Sequence, residues 1–406
     1  MRNDIPTQLL FDDAAAIIDR VAAERRLPHE RLALARLHGR IAAQDAHAPI
    51  AQPPFDNSAM DGYALRNADL LHDSDTTLQL AGEQFAGRAL GLRVDEGQCI
   101  RITTGAPMPE GADTVVIREV VRVEGDRIVV PPNVARGANV RRAGEDVQVG
   151  DRVLEAGHVL TPARVATLAS VGIDALSVFS RPTVAVFTTG DELVPPGMPL
   201  APGQIHDSNR ELLMGLLRAD GLEPTAWPVL PDDPARLQSM LLDAASSFDV
   251  VITCGAVSAG EKDHIPALLD AHGRVHFWKV RMKPGMPLLF GALDRALFLG
   301  LPGNPVSVFA TYATLGRRLL DGLQGRTEPR RRWRARLSAP IEKPHARREF
   351  MRGRLDAGDD GVLHVAPDAV TGSHRLHAAA QADALIVVPD GPQSLAVGAV
   401  VDVIPY

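Results

Sequence analysis

The stretch FLGLPGNPVSVF (298–309) joins an apolar, strand-like run to an apolar helical pattern through a Pro-Gly-Asn-Pro corner. Asn304 is a favourable helix N-cap and Pro305 suits the first helical position, so we predict a helix from 305 directly after a buried strand. The apolar runs PTVAVFTTG (182–190) and FDVVITCG (248–255) also end in Gly, with helical patterns further on. Short strands alternating with helices of about 10–15 residues predict a mostly parallel α/β sheet.

Other parts of the chain have a different character. Residues 11–26 show the periodicity of an amphipathic helix, and Thr161 followed by Pro162 predicts another helix start. Between 78 and 155, short apolar runs alternate with Gly and Pro and predict β structure with a hairpin at VEGD (123–126). The last part of the chain alternates apolar and polar residues like a small β-barrel or sandwich. We therefore predict an α/β plus β multidomain protein.

Composition excludes several classes of protein. The formal net charge of -7, from 43 basic and 50 acidic residues, argues against a broad nucleic-acid surface. No apolar run approaches the ~20 residues of a membrane span. Two cysteines far apart in sequence predict no disulfide framework and favour a reducing cytoplasm. The thirteen histidines lack zinc-ligand spacing.

Ligands of a doubly wound sheet bind beyond the carboxyl ends of its strands, where this chain has three unusual stretches. In TTGDELV (188–194), Gly190 permits a tight turn, and Asp191 and Glu192 are candidates to hold a metal ion. A β-turn with a solvated acidic corner explains this stretch equally well.

The second stretch, VITCGAVSAGEKDHIPALL (251–269), opens from a strand into small residues that include Gly255 and Ser258. Small residues let backbone N–H groups approach phosphates, and the following helix N-terminus favours an anion. The stretch lacks a Walker ending and a G-x-G-x-x-G pattern. Glu261 and Asp263 beside it suit Mg²⁺, with a simple helix cap at Asp263 as the alternative.

The third stretch is the 302–305 corner together with WKVRMKPGMPLLFG (278–291). Lys279, Arg281 and Lys283 share one face if their segment is extended. Together with free N–H groups of Val306 and Ser307 at the helix start, these cations predict a small oxyanion pocket. The corner by itself is explained by a plain helix-start turn.

Seven ordered stretches carry a family resemblance: PPFDNSAMDGYAL, TTGAPMPEGADTVV, RRAGEDV, TTGDELV, GQIHDSNRELL, KPGMPLLFG and LPGNPVSVF. They make the chain, over about residues 5–406, similar to the molybdopterin molybdenumtransferase family (the MoeA type, shared by the E domain of gephyrin). We divide the chain accordingly into a discontinuous helical and extended arm (1–47 and 143–178), a β-rich loop domain (48–142), an α/β domain of the molybdopterin-binding type (179–325) and a C-terminal β domain (326–406).

The resemblance implies an enzyme that inserts molybdenum from molybdate into adenylylated molybdopterin. Mg²⁺-dependent hydrolysis of the adenylate would release AMP. The resemblance also implies an elongated homodimer whose cleft lies between the α/β domain of one subunit and the loop domain of the other. Expected partners are the molybdopterin adenylyltransferase and acceptor molybdoenzymes in the cytoplasm, with no nucleic acid and no membrane.

The resemblance assigns roles residue by residue. Glu192, Asp232 and Asp263 become the acids of the α/β domain, and Asp232 and Asp263 the Mg²⁺ ligands. Asp61 and Asp146 become catalytic groups that face them across the dimer. The candidate substrate-binding residues are Thr104, Gly190, Gly255, Ser258, Lys279, Lys283, Pro302, Pro305, Ser307, Arg352 and Ser373.

Two departures from the family pattern and two other functions bear on these expectations. Ala256 replaces a Gly of the phosphate loop and Met286 a Lys of the pocket, which puts substrate affinity in question rather than reaction type. The α/β domain alone would also fit a nucleotide transferase that makes adenylylated molybdopterin from ATP. A non-catalytic scaffold with the same fold is the third alternative, and the retained Asp232, Asp263, Lys279 and Lys283 argue against it.

Overall fold

A seven-stranded sheet forms the centre of the chain in the computed structural model, which describes residues 5–257, 264–359, 361–369 and 372–406. Its strands are β1 (Thr7–Leu9), β2 (Val184–Thr188), β3 (Thr225–Ala226), β4 (Val250–Cys254), β5 (Gly273–Val280), β6 (Leu289–Leu293) and β7 (Ala296–Leu301). Their spatial order is β1–β5–β6–β7–β4–β2–β3. Only β6 runs antiparallel to its neighbours, so the predicted mostly parallel sheet is confirmed.

Helices cover both faces of this sheet. They are α1 (Phe11–Glu24), α2 (Ser208–Ala219), α3 (Pro234–Ser247), α4 (Ile265–His272), α5 (Pro305–Thr311) and α6 (Arg317–Leu323), the last two joined by a π-helical turn at Tyr312–Gly316. Val184 and Val186 of β2 belong to one core cluster, and the intervening Ala185 and Phe187 to another. Successive strand side chains point to opposite faces, which explains why the run is apolar throughout.

The arm is assembled from two distant segments. Strand His29–Ala33 pairs with Ala175–Phe179, and Ala46–His47 pairs with Arg152–Leu154. The predicted helix at Pro162 spans Pro162–Ser170, and the Thr161 side chain accepts a hydrogen bond from the backbone N–H of Arg164. Residues 7–24 of segment 1–47 lie with the central sheet instead, because β1 pairs with β5 and α1 packs against the central core.

The loop domain contains a six-stranded sheet of its own. Its strands are Gly62–Leu65, Thr76–Gln84, Gln98–Ile102, Thr114–Ile117, Arg122–Glu124 and Arg127–Val130. The predicted hairpin at 123–126 is confirmed by the antiparallel pairing of the last two strands. Beside this sheet, the short strands Asn57–Ser58 and Val140–Arg141 pair with each other.

The C-terminal strands close into a five-stranded barrel, as predicted. These strands are Trp333–Leu337, Arg348–Ala357, Leu363–Pro367, Ala384–Val388 and Val400–Pro405. Closure follows because Arg348–Ala357 pairs with both Leu363–Pro367 and Ala384–Val388. The pair Ile341–Lys343 with Gln393–Leu395 and the helix Leu376–Ala379 complete this part. None of the helices in the described ranges combines the length and apolarity needed to cross a bilayer.

Candidate functional site

The carboxyl ends of the parallel strands meet at one edge of the central sheet. Thr188, Cys254 and Leu301 are register partners across β2, β4 and β7. The pairing of β5 through β6 to β7 brings the carboxyl end of β5 to the same edge. This edge therefore gathers the segments that follow four strands, with the candidates Gly190, Gly255, Lys279 and Pro302.

Gly255 fixes the turn after β4. Its N–H donates to the Leu301 carbonyl at 2.9 Å, and its φ of +99° lies in a region that side chains other than Gly rarely adopt. A Cβ at this position would overlap the Thr189 hydroxyl oxygen. That hydroxyl donates to the Cys254 carbonyl at 3.1 Å, so the ends of β2 and β4 are tied together at Gly255.

The acidic turn after β2 is also shaped around a glycine. Gly190 has a φ of +127°, and a Cβ there would overlap the carboxylate of Glu192, which folds back over the turn. The Asp232 N–H donates to the Asp191 carboxylate at 3.3 Å, so a second acidic segment lies beside the first. Asp232 is half-buried, whereas Asp191 and Glu192 are exposed.

Three candidates of the phosphate loop, Ser258, Glu261 and Asp263, lie outside the described residues. Within the described ranges, no three His, Cys, Asp or Glu side chains are grouped so that they could hold a metal ion. Mg²⁺ commonly uses one or two carboxylates together with substrate phosphates, so a site built on Asp232 fits that mode. The described side chains by themselves do not supply a complete set of metal ligands.

The 302–305 corner is held by side chains from two sides. Asn304 occupies the N-cap position of α5, but its side chain donates to the Ser373 hydroxyl at 3.0 Å and does not cap the helix. The Val306 N–H donates to the Ser373 carbonyl at 3.2 Å. The prediction that this N–H is free was therefore wrong, because the C-terminal domain supplies its acceptor. On the other side, Asn209 donates to the Gly303 carbonyl at 2.6 Å.

The basic segment 279–283 is not one extended strand. Lys279 has a φ of +69°, and its ammonium lies 4.3 Å from the centre of the Trp278 ring. Lys283 belongs to a separate short strand beside the barrel, where its ammonium pairs with the Glu349 carboxylate at 2.8 Å. The prediction of one shared cationic face was wrong, because the chain turns at Lys279 and the barrel recruits Lys283.

Arg352 supports the segment that carries Ser373. Its guanidinium is almost fully buried and donates to the Asp368 carboxylate at 3.2 Å. It also donates to the backbone carbonyls of Gly372 at 3.4 Å and Arg375 at 3.3 Å. Arg352 thus holds the backbone on both sides of Ser373, which reaches the sheet edge.

Sequence reasoning assigned no role to the start of α2. Asp207 is 3% exposed; its carboxylate accepts from the Thr188 hydroxyl at 2.6 Å and from the Arg210 side chain at 3.1 Å. It also accepts from the Arg210 N–H at 3.1 Å, which caps the helix. The motif HDSN contained the signal, since Asp before a helical pattern predicts a cap. Burial and the Asp207 charge raise the pKa of the Cys254 thiol far above its ordinary value.

The polar candidates of the loop domain form a separate cluster. The Asp61 carboxylate accepts from the Thr104 N–H at 2.8 Å and from its hydroxyl at 2.9 Å. These two hydrogen bonds hold the pKa of Asp61 below its usual range. The two candidates therefore form one exposed, hydrogen-bonded pair in which Asp61 carries the charge.

Asp146 lies on a third loop that contacts the same region. Its N–H donates to the Gln52 carbonyl at 3.1 Å, while Arg142 pairs with the Asp56 carboxylate at 2.6 Å. The loops around 52–61, 103–108 and 141–148 are thereby joined. Among described residues, no hydrogen bond or ion pair connects them to the edge of the central sheet.

Three family models match the chain in sequence order. The MoeA N-terminal region (domain I and II) matches residues 9–172, a probable molybdopterin binding domain matches 185–322, and the MoeA C-terminal region (domain IV) matches 334–406. In order, these matches correspond to the arm together with the loop domain, to the central sheet and to the barrel.

Similar proteins cover nearly the whole chain. The molybdopterin molybdenumtransferase of Haemophilus influenzae is 39% identical over 93% of this chain and 94% of its own length. Molybdopterin molybdenumtransferase 2 of Mycobacterium tuberculosis is 36% identical over 90% of this chain and 92% of its own. A molybdopterin biosynthesis MoeA protein from Pyrococcus horikoshii OT3 superposes with a TM-score of 0.83 at 28% identity, over 98% of this chain and 100% of that one.

Proposed function

Because the chain belongs to the molybdopterin molybdenumtransferase family, we propose that it inserts molybdenum from molybdate into adenylylated molybdopterin. In this proposal the adenylate is hydrolysed in a Mg²⁺-dependent step and AMP leaves. The observation that carries the proposal is the convergence, at one sheet edge, of two glycine turns, a lysine, an acidic turn and the Ser373 segment of the barrel.

Charge is the main physical problem of this reaction, because molybdate and the adenylate diphosphate are both anions. Lys279 at the end of β5 supplies positive charge in a chain that is acidic overall, and Arg352, paired with Asp368, holds the Ser373 segment. The turns at Gly190 and Gly255 leave backbone close to the ligand. Preorganised donors and cations of this kind stabilise developing negative charge without reorganisation.

The acids of the same edge suit a metal and a water. We assign Asp232 and Asp263 to hold Mg²⁺, which when bound would neutralise phosphate charge and polarise the bond to be cleaved. Glu192, folded over its turn, is the group that we assign to orient the attacking water.

The cluster of Asp61, Thr104 and Asp146 acts in this proposal on the sheet edge of a second subunit. Its loops are bonded to one another and, among described residues, not to the sheet edge of their own chain, which favours a homodimer with shared sites. The substrate would come from an enzyme that adenylylates molybdopterin, and the product would pass to acceptor molybdoenzymes. Two free, buried cysteines suit a cytoplasmic setting.

The proposal is tested by AMP release from adenylylated molybdopterin with Mg²⁺ and molybdate. Asp232→Asn is expected to slow release by about 10²-fold, the usual cost of removing a charge-stabilising group. Asp233→Asn is the matched control: the Asp233 side chain caps α3 by accepting a hydrogen bond from the Arg236 N–H at 2.8 Å, and Asn is an equally good cap, so AMP release should stay at the wild-type rate.

Three outcomes separate the candidate functions. Full AMP release by Asp232→Asn would contradict the metal assignment. ATP consumption with molybdopterin, without molybdate-dependent AMP release, would point to the adenylyltransferase. If the wild-type protein were inactive in both reactions, a non-catalytic scaffold would be the remaining candidate function.

A further inference from the structure

We propose that Asn209 is a positioning residue that sets the 302–305 corner relative to the central sheet and thereby the affinity for molybdate. The inference rests on the proposed function, in which this corner is one wall of the anion site. Asn209 belongs neither to the predicted catalytic residues nor to the predicted substrate-binding residues.

The rigid support behind Asn209 is the start of α2. Asn209 is the second residue of that helix, directly after the N-terminal Ser208. The preceding Asp207 is buried and bonded to Thr188, the last residue of β2, and to Arg210. Because this junction is buried and bonded on several sides, Asn209 projects from a fixed point of the sheet.

From that point the Asn209 amide reaches the corner. Its Nδ2 donates to the Gly303 carbonyl at 2.6 Å, across 94 residues of sequence. Its Oδ1 is buried and has no hydrogen-bond partner among the described residues. An unpaired buried acceptor is unfavourable. The Asn209 side chain is therefore not placed here because both of its polar ends find partners. The bond to Gly303 is the hydrogen bond that the half-buried Asn209 side chain makes among the described residues.

The opposite side of the corner is attached to the barrel. Asn304 and Val306 both donate to Ser373, which belongs to the C-terminal domain. Gly303 and Asn304 are adjacent, so the corner is held between two domains by neighbouring residues. Without the Asn209 bond, the corner keeps its attachment to the barrel but loses its attachment to the start of α2. Pro305 in the corner and Ser307 after it would then shift relative to Lys279 and Gly255.

Two substitutions test this role through the KM for molybdate. Asn209→Ala removes the donor and is expected to raise KM about tenfold, the equivalent of one hydrogen bond, with a much smaller change in kcat. Asn209→Asp keeps the shape but sets a carboxylate oxygen against the Gly303 carbonyl, so its KM is expected to rise further. Amide hydrogen exchange of the corner peptide should increase in both variants.

Asn67→Asp is the matched control, because Asn67 Nδ2 donates to the Val134 carbonyl at 3.0 Å in the loop domain, away from both site clusters. Asn67→Asp should change the free energy of unfolding about as much as the Asn209 variants do. It should leave the KM for molybdate and amide hydrogen exchange at the corner unchanged. Equal KM and equal corner exchange in wild type and both Asn209 variants would overturn the inference. If the wild type released no AMP, the proposed function would fail, and corner exchange alone would decide whether Asn209 positions the corner.

Discussion

Gly255→Ala tests the reasoning about the sheet edge most directly. At the Gly255 φ of +99°, an L-residue costs about 1–2 kcal/mol. The new Cβ would also displace the Thr189 hydroxyl and break its 3.1 Å bond to the Cys254 carbonyl, at about 1 kcal/mol. We therefore expect the free energy of unfolding of the central domain to fall by about 2–3 kcal/mol and molybdate-dependent AMP release to fall with it.

Two other glycines separate the contributions to this loss. Gly197, in the same α/β domain, has a φ of +91° but open space around its Cβ position, so Gly197→Ala should lose only the conformational part, about 1 kcal/mol. Gly215 lies inside α2, with nothing near its Cβ position, so Gly215→Ala should stabilise the protein by about 1 kcal/mol.

Urea unfolding followed by tryptophan emission measures these differences. Trp278 is the useful reporter, because its indole N–H donates to the Val257 carbonyl at 2.8 Å, two residues after Gly255. The reasoning is refuted if Gly255→Ala unfolds at the same urea concentration as the wild type. It is also refuted if Gly197→Ala is equally destabilised, because the overlap with Thr189 would then contribute nothing.

Three further predictions concern ionisable groups. Hydrogen bonds from the Arg164 side chain and a backbone N–H lower the pKa of Glu328 to about 2. The stability that this interaction contributes is therefore complete above pH 4.5, the ordinary pKa of Glu, and is lost as the pH falls towards 2. Glu328→Gln should remove this pH dependence of the free energy of unfolding, measured by urea titration across that range. Asp207→Asn breaks a buried ion pair and should lower the unfolding free energy by about 3–5 kcal/mol, whereas an unchanged melting temperature would contradict the role given to the start of α2. Burial raises the pKa of Cys99 to about 12 and that of Cys254 also rises, so neither thiol should react with Ellman's reagent at pH 8 until the protein is denatured.

Local signals in the sequence predicted the central fold well. The apolar runs of β2, β4 and β7 were recognised as strands, and their common direction predicted that the segments after them would meet. Strand β6 was missed because its few apolar residues follow two prolines in KPGMP. Strand β1 was missed because its three residues gain their partner, β5, only after the chain has folded.

Only part of the candidate site could likewise be predicted from the sequence. Thr161, the glycine turns and the corner could be interpreted from sequence, because caps and left-handed turns depend on a few neighbouring residues. The partners of Val306 and Lys283 could not, since Ser373 and Glu349 come from the barrel. Pairing across such separations depends on domain placement, which local patterns do not encode.

The sequence by itself determined most strands and helices of the central domain and which residue types follow each strand. Only the tertiary structure decided that the corner is held between Asn209 and Ser373, and that Lys279 and Lys283 point to different partners. The physical reason is range: backbone conformation and capping are set over a few residues, whereas the hydrogen bonds and ion pairs that orient this site join residues about 60–100 positions apart.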